Sequence, residues 1–179
     1  MILIEPLLKI QSIKSSDYKT LFNLMKEIYP PAYSHFWEDN GDWYLNYQYS
    51  KENVLKELSQ ENSDYYFVIF ENEIIGNFRI IWNEKLRGFS VDKHVKLHRL
   101  YLHNKHQGKG IGKKLLSWLE NKAVQKNFDI IWLDAMYEQK QAFQFYKKRG
   151  YKNYSHTFLQ FENMFDKYRK MNQVYKLLA

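Results

Sequence analysis

Apolar residues recur along this chain with two periods, and the switch between them outlines the fold. Over residues 15–28 the positions Leu21, Leu24, Met25 and Ile28 repeat every three or four residues, which is one face of a helix. Ser15, Ser16 or Asp17 can cap its start. Pro30 and Pro31 are expected to stop it, since proline lacks the N–H and crowds the preceding turn. Residues 50–59 predict a second helix with Val54, Leu55 and Leu58 inward. The pattern then becomes strand-like: residues 65–70 and 74–81 flank Glu71-Asn72-Glu73 and predict a hairpin. Residues 95–102 alternate Val95, Leu97, Arg99 and Tyr101 with Lys96, His98, Leu100 and Leu102. Both sets are partly apolar, as in a central strand.

From Gly110 the helical period returns, with Ile111, Leu115, Trp118, Leu119 and Ala123 on one face. Residues 128–134 read as a short strand. Residues 139–149 read as a helix that packs through Ala142, Phe145 and Tyr146 and ends at Gly150. Strand character resumes at Tyr151. Phe161, Met164, Phe165, Tyr168, Met171 and Tyr175 predict a terminal helix over residues 161–178. The order describes a mixed α/β (α+β) domain: a central sheet, antiparallel at its start, with one parallel βαβ unit, flanked by helices. The 179 residues suit one domain, 1–179, and 45% hydrophobic with 18% aromatic content can fill its core.

Composition narrows the chemistry. There is no cysteine, which excludes disulfides, thiolate metal sites and a cysteine nucleophile. No metal is expected, and a reducing, cytoplasmic setting fits. The apolar start Met1-Ile2-Leu3-Ile4 is interrupted by Glu5 and Pro6 and does not read as a signal peptide. No run approaches the roughly 18 apolar residues of a membrane span, so no membrane partner is expected. A net charge of +7 attracts polyanions, nucleic acid and phosphorylated cofactors alike. No basic–aromatic strand motif accompanies it, so no nucleic-acid partner is expected.

The strand at 95–102 runs through a short loop into the helix near Gly110, and the junction reads Gln107-Gly108-Lys109-Gly110-Ile111-Gly112. A helix N-terminus carries unpaired N–H groups and partial positive charge. Glycine lets the backbone approach an anion, and Lys109, Lys113 and Lys114 add formal charge. The spacing fits neither the P-loop nor the dinucleotide fingerprint. Taken alone it is a candidate pyrophosphate cradle or an ordinary tight turn.

The junction matches the Q/R-x-x-G-x-G/A signature of the GNAT superfamily of N-acetyltransferases, and residues 110–116 resemble its Gly-Ile-Gly-Lys-x-Leu-Leu continuation. A second signature, roughly N-x-x-A-x-x-F-Y-x-K-x-G-F, resembles Gln139-Lys140-Gln141-Ala142-Phe143-Gln144-Phe145-Tyr146-Lys147-Lys148-Arg149-Gly150-Tyr151. Gln139 replaces the usual asparagine and keeps an amide. Trp132-Leu133-Asp134-Ala135-Met136 is similar, weakly, to the polyamine and diamine acetyltransferase branch. The resemblance implies an acetyl-CoA-dependent N-acetyltransferase that moves the acetyl group directly to a primary amine. It implies cofactor contacts from the strand backbone at Leu100, Tyr101 and Leu102, from Gln107, Gly108, Lys109, Gly110, Ile111, Gly112 and Lys113, and from Gln139 and Tyr146. It also gives Tyr146 the task of protonating the leaving thiolate.

A base is also needed, because a free alkylammonium has a pKa of about 10. His98 is the expected one, with His35, Glu38 and Asp39 as alternatives. Residues 27–50 hold Glu38, Asp39 and Asp42 among eight aromatics and no lysine or arginine. Tyr33 and Trp37 can offer ring faces and the carboxylates can offer charge, so this segment is the expected site for a small cationic amine such as a polyamine. A peptide N-acetyltransferase and a non-catalytic coenzyme A sensor are the competing readings. The aromatic first third is also compatible with a homodimer.

Overall fold

The computed structural model describes residues 1–178 and is built on one eight-stranded sheet in the order β1-β2-β3-β4-β5-β6-β8-β7. The strands are β1 (Ile2–Glu5), β2 (Leu8–Ser12), β3 (Ser63–Phe70), β4 (Glu73–Trp82), β5 (His94–Leu102), β6 (Ile130–Met136), β7 (Lys152–Phe158) and β8 (Lys170–Leu177). Every neighbouring pair is antiparallel except β5 and β6, which are parallel and joined through a helix. The helices are α1 (Tyr18–Tyr33), α2 (Asp42–Gln48), α3 (Lys51–Leu58), α4 (Ile111–Gln125) and α5 (Lys140–Lys148). The expected mixed sheet with a parallel βαβ unit is present.

The sheet separates two apolar layers. On one face Phe78, Ile80, Val95, Leu97, Ile131 and Leu133 pack against Ile111, Leu115 and Leu119 of α4, and Phe143 and Phe145 of α5 join them. On the other face Tyr65, Phe67 and Ile69 pack against Leu21, Met25 and Ile28 of α1, Leu45 of α2 and Val54 of α3. The heptad-like spacing of Leu21, Leu24, Met25 and Ile28 is therefore the buried stripe of α1.

Four features depart from the sequence reading. The helix expected to stop at Pro30 continues to Tyr33 and carries both prolines in its last turn. There the carbonyl of Pro30 accepts from the Ser34 N–H, so the end of the helix is still closed. An N-terminal hairpin, β1–β2, adds an edge to the sheet. The short helix α2 breaks up the aromatic segment. The fourth is the terminal helix expected over 161–178: residues 170–177 form β8, an inner strand between β6 and β7. An inner strand has apolar positions on both faces, here Val174 on one and Met171 and Tyr175 on the other, which masks the two-residue period. Among the described residues, no helix is long and apolar enough to cross a membrane.

Candidate active site

The parallel strands at the centre of the sheet stay together only briefly. β5 and β6 pair through His94–Ile130, Val95–Ile131 and Lys96–Trp132, and then separate. Beyond Lys96 the edge of β5 facing β6 has no strand partner, while its other edge stays paired to β4 as far as Leu102. The gap holds a cavity of about 300 Å³. Its walls come from β5, β6, the start of α5, the end of α1 with the aromatic segment after it, and the connection from β7 to β8. An unpaired parallel edge beside a cavity offers free backbone N–H and C=O groups to an extended ligand.

A β-bulge lies in the same stretch of β5. Arg79 of β4 faces Arg99, but its neighbour Ile80 faces Leu97, so His98 has no opposite residue. The extra residue flips the alternation. Leu100 and Leu102 thus join Val95 and Leu97 on the α4 face, and Arg99 and Tyr101 point to the α1 face. The uninterrupted alternation read from the sequence holds only up to His98.

At the end of β5 the chain enters the glycine turn. The Gln107 side-chain amide donates to the Leu102 carbonyl at 3.1 Å and fixes the loop to the strand. Gly108 and Gly110 both have φ of +77°, the left-handed region that favours glycine. Nothing lies within 4 Å of where a Cβ would stand at either, so the turn is open. Gly110 is the N-cap of α4 and offers no side chain to the first-turn N–H groups of Ile111, Gly112 and Lys113. Lys109 and Lys113 are exposed beside them, and Lys114 pairs with Glu5. A Cβ on Gly112 would come within 3.8 Å of both Leu102 and Phe145, so the turn adjoins β5 and α5. Open left-handed backbone, an uncapped helix start and two exposed lysines fit a pyrophosphate.

Tyr146 on α5 lines the cavity and packs edge-on against Tyr151. Burial, with Tyr33 nearby, pushes its phenol well above the ordinary value, so it stays protonated. Gln139, also on the wall, donates to the Ala32 carbonyl at 3.1 Å and ties the start of α5 to the end of α1. His98 lines the cavity as well. Its Nδ1 is 2.7 Å from Arg79 Nη1, and a guanidinium can only donate, so Nδ1 accepts and the remaining proton is on Nε2. Burial, then Arg99, Arg79 and Lys96 around it, holds its pKa down to about 2. The ring is neutral at physiological pH, and its free nitrogen is already occupied.

The expected amine-binding segment divides. Tyr33 and Trp37 line the cavity. Tyr29 is stacked between Tyr33 and Tyr44, at 4.8 and 4.7 Å, and accepts from Trp37 Nε1 at 2.9 Å. The carboxylates are elsewhere. Asp39 caps α2, accepting from the Gly41 and Trp43 N–H groups, while Glu38 and Asp42 are exposed and off the cavity wall. His35 is exposed too. Closeness in sequence to aromatic residues did not place these acids on the same surface.

Charged residues outside the expected site set stand in the wall instead. Among the described residues, Asp134 of β6 is the one carboxylate lining the cavity. It pairs with Lys96 Nζ at 2.8 Å and accepts from Gln173 at 3.2 Å. The Lys96–Asp134 pair bridges β5 and β6 where they begin to part. Arg99 also lines the cavity, and behind it lies a buried cluster. Arg79 and Arg99, 2% and 4% exposed at the side chain, share the carboxylate of Glu57 from α3, itself 11% exposed. Gln60 accepts from Arg79 at 2.6 Å, and the Arg99 guanidinium lies over the rings of Tyr49 and Tyr65. Asp134 had a sequence signal: a lone acid inside an apolar strand, between Leu133 and Ala135, needs a partner or a task.

A family model described as the acetyltransferase (GNAT) family matches residues 20–151. An uncharacterized N-acetyltransferase in the pepI 3′ region of Lactobacillus delbrueckii subsp. lactis is 22% identical over 156 residues, covering 84% of this chain and 88% of that protein. Among solved structures, the PaiA N-acetyltransferase from Thermoplasma acidophilum in complex with coenzyme A superposes with a TM-score of 0.69 at 20% identity, covering 95% of this chain and 98% of the other. A spermidine N-acetyltransferase from Vibrio cholerae in complex with CoA and spermine gives 0.68 at 18% identity, with 97% of each chain covered.

Proposed function

The chain belongs to the acetyltransferase (GNAT) family, and on that premise we propose that it transfers an acetyl group from acetyl-CoA directly to a small primary amine. The observation that carries this reading is the separation of β5 and β6, which leaves the β5 edge unpaired and opens a cavity that Tyr146 lines. When bound, acetyl-CoA supplies the acetyl group as an activated thioester. Gln107, Gly108, Lys109, Gly110, Ile111, Gly112 and Lys113 hold its pyrophosphate through backbone N–H groups and lysine charge. The unpaired β5 edge over Leu100, Tyr101 and Leu102 holds the pantetheine arm and offers an N–H to the carbonyl oxygen, where negative charge develops. Gln139 keeps α5 against α1 and so sets the width of the cleft.

Tyr146 keeps its proton at neutral pH and can give it to a departing thiolate. A base is harder to find among the side chains. A neutral His98 with Nδ1 accepting from Arg79 serves better as a positioning group for the bulge than as a proton acceptor. We therefore assign His98 to holding β5 in shape, and the amine loses its proton to water or reacts as its free-base fraction. The test is release of coenzyme A thiol from acetyl-CoA with a panel of amines. Tyr146→Phe should lower kcat by about 10²–10⁴-fold, the usual weight of a general acid. Unchanged turnover in that variant removes Tyr146 from the chemistry, and no turnover with any amine in the native protein favours a coenzyme A sensor.

A further inference from the structure

The cavity that receives the amine has a charge balance and a wall chemistry of its own. Its acceptor side is aromatic: Tyr29, Tyr33, Trp37, Tyr44 and Phe161 line it. These rings lie against one another, Trp37 at 5.1 Å from Tyr44 and 5.7 Å from Phe161, with Tyr29 between Tyr33 and Tyr44. Rings packed against one another spend part of their faces on each other, so this wall suits a flat or apolar body better than several separate cations.

The ionised groups at or directly behind the wall are Lys96, Arg99 and Arg79 against Asp134 and Glu57. Glu57 is already shared by two guanidiniums, and His98 is neutral. The balance is one positive charge in excess. A polyamine brings several ammonium groups, and each loses its hydration on entering unless it meets an anion. Glu38 and Asp42, which could meet them, face solvent, and Asp39 is committed to capping α2. Among the described residues, Asp134 is the one carboxylate on the wall, and a cation inside would share it with Lys96. Asp134 stands on the α1-side face of β6, two residues past the last β5–β6 pair, at the narrow end of the gap between the strands.

From this arrangement we infer that the acceptor is a monoamine carried on a flat aromatic or apolar body, with the body against Tyr33, Trp37 and Phe161 and the ammonium steered by Asp134. The inference rests on the acetyl-transfer reading and narrows it. Asp134 is a specificity residue here: it exchanges part of its pairing with Lys96 for the incoming ammonium, and Gln173 keeps its other oxygen in place.

The test uses the full chain and thiol release from acetyl-CoA with four amines: phenethylamine, tryptamine, butylamine and spermidine. The expected result is a kcat/KM for phenethylamine or tryptamine at least about tenfold above that for spermidine, with butylamine between them. Asp134→Asn should lower kcat/KM for phenethylamine at least about tenfold and leave the calorimetric affinity for coenzyme A unchanged. A preference for spermidine over both aromatic amines overturns the inference and leaves acetyl transfer standing. So does full activity of Asp134→Asn on phenethylamine. Coenzyme A binding with no turnover of any of the four overturns both the inference and the acetyl-transfer reading. The ratio between amines is read on the native protein, so it holds even where the variant folds poorly.

Discussion

Gly110 begins α4 in a left-handed conformation with nothing beside it, and both facts give a prediction. An alanine there keeps the charge of the turn but costs about 1–2 kcal/mol for a side chain at positive φ. It also puts a methyl group into the cradle. Gly110→Ala should raise KM for acetyl-CoA about tenfold or more and leave KM for the amine within about twofold, by steady-state kinetics with each substrate varied in turn. A second residue carries a pH signature. The unfolded chain protonates His98 near its ordinary value of 6.5, and the folded chain only near about 2. Between those values the unfolded state binds the extra proton, so this contribution is complete above about pH 6.5 and is lost as pH falls toward 2. Its slope is at most about 1.4 kcal/mol per pH unit. Urea unfolding at pH 7, 6 and 5 should show native stability falling more steeply than that of His98→Asn. Equal slopes would mean the ring is not buried neutral. At this scale, what the sequence revealed was local. The glycine turn and Tyr146 are each defined by a few neighbours in the chain; the turn lies at the junction of β5 and α4, and Tyr146 lies on the cavity wall. Glu38, Asp39 and Asp42 were judged by proximity, and the turn into α2 directs them away from the cavity.

At the scale of elements, the cluster of Glu57, Arg79 and Arg99 joins α3 to β4 and β5 beneath the cleft. It also reaches the bulge, since Arg79 donates to His98. Removing the shared carboxylate leaves two guanidiniums buried side by side with no anion, a change that typically costs about 3–5 kcal/mol. Glu57→Gln keeps the shape and should lower Tm by roughly 6–20 °C for a chain of this size. In differential scanning calorimetry, a shift below about 2 °C would show that water or the surrounding tyrosines already compensate the pair. None of this was legible beforehand. The sequence shows Arg99 in a central strand but not which strand pairs with it, and a bulge has no compositional mark when the extra residue is a histidine. Periodicity found α4 because it has one buried face, and β3, β4 and β5 because each is a short apolar run rich in β-branched and aromatic residues. It failed for β8, where both faces are in contact and the apolar spacing happens to suit a helix.

The placement of β8 matters for the whole molecule. It pairs with β6 along the full length of that strand and also carries β7, so the last segment of the chain closes the half of the sheet that bears Asp134. Gln173 of β8 holds Asp134, and Val174 is in the main core. Contacts so distant in sequence form late and hold the ends of the fold together. The opposite edge differs: β1 is short, largely exposed, and adds one surface ion pair, Glu5 with Lys114, worth at most about 1 kcal/mol. Two deletions separate these roles. Removing residues 1–6 should leave a cooperatively folding protein with Tm lower by roughly 4–8 °C, a loss of about 2 kcal/mol at this size. Removing residues 170–179 takes out an inner strand, strands β7 as an unpaired hydrogen-bonding edge and opens β6 to solvent. That chain should show no cooperative thermal transition by circular dichroism and should aggregate at micromolar concentration. A folded, coenzyme A-binding protein without residues 170–179 would mean that β6 and the cleft are held by β5 and α4 alone.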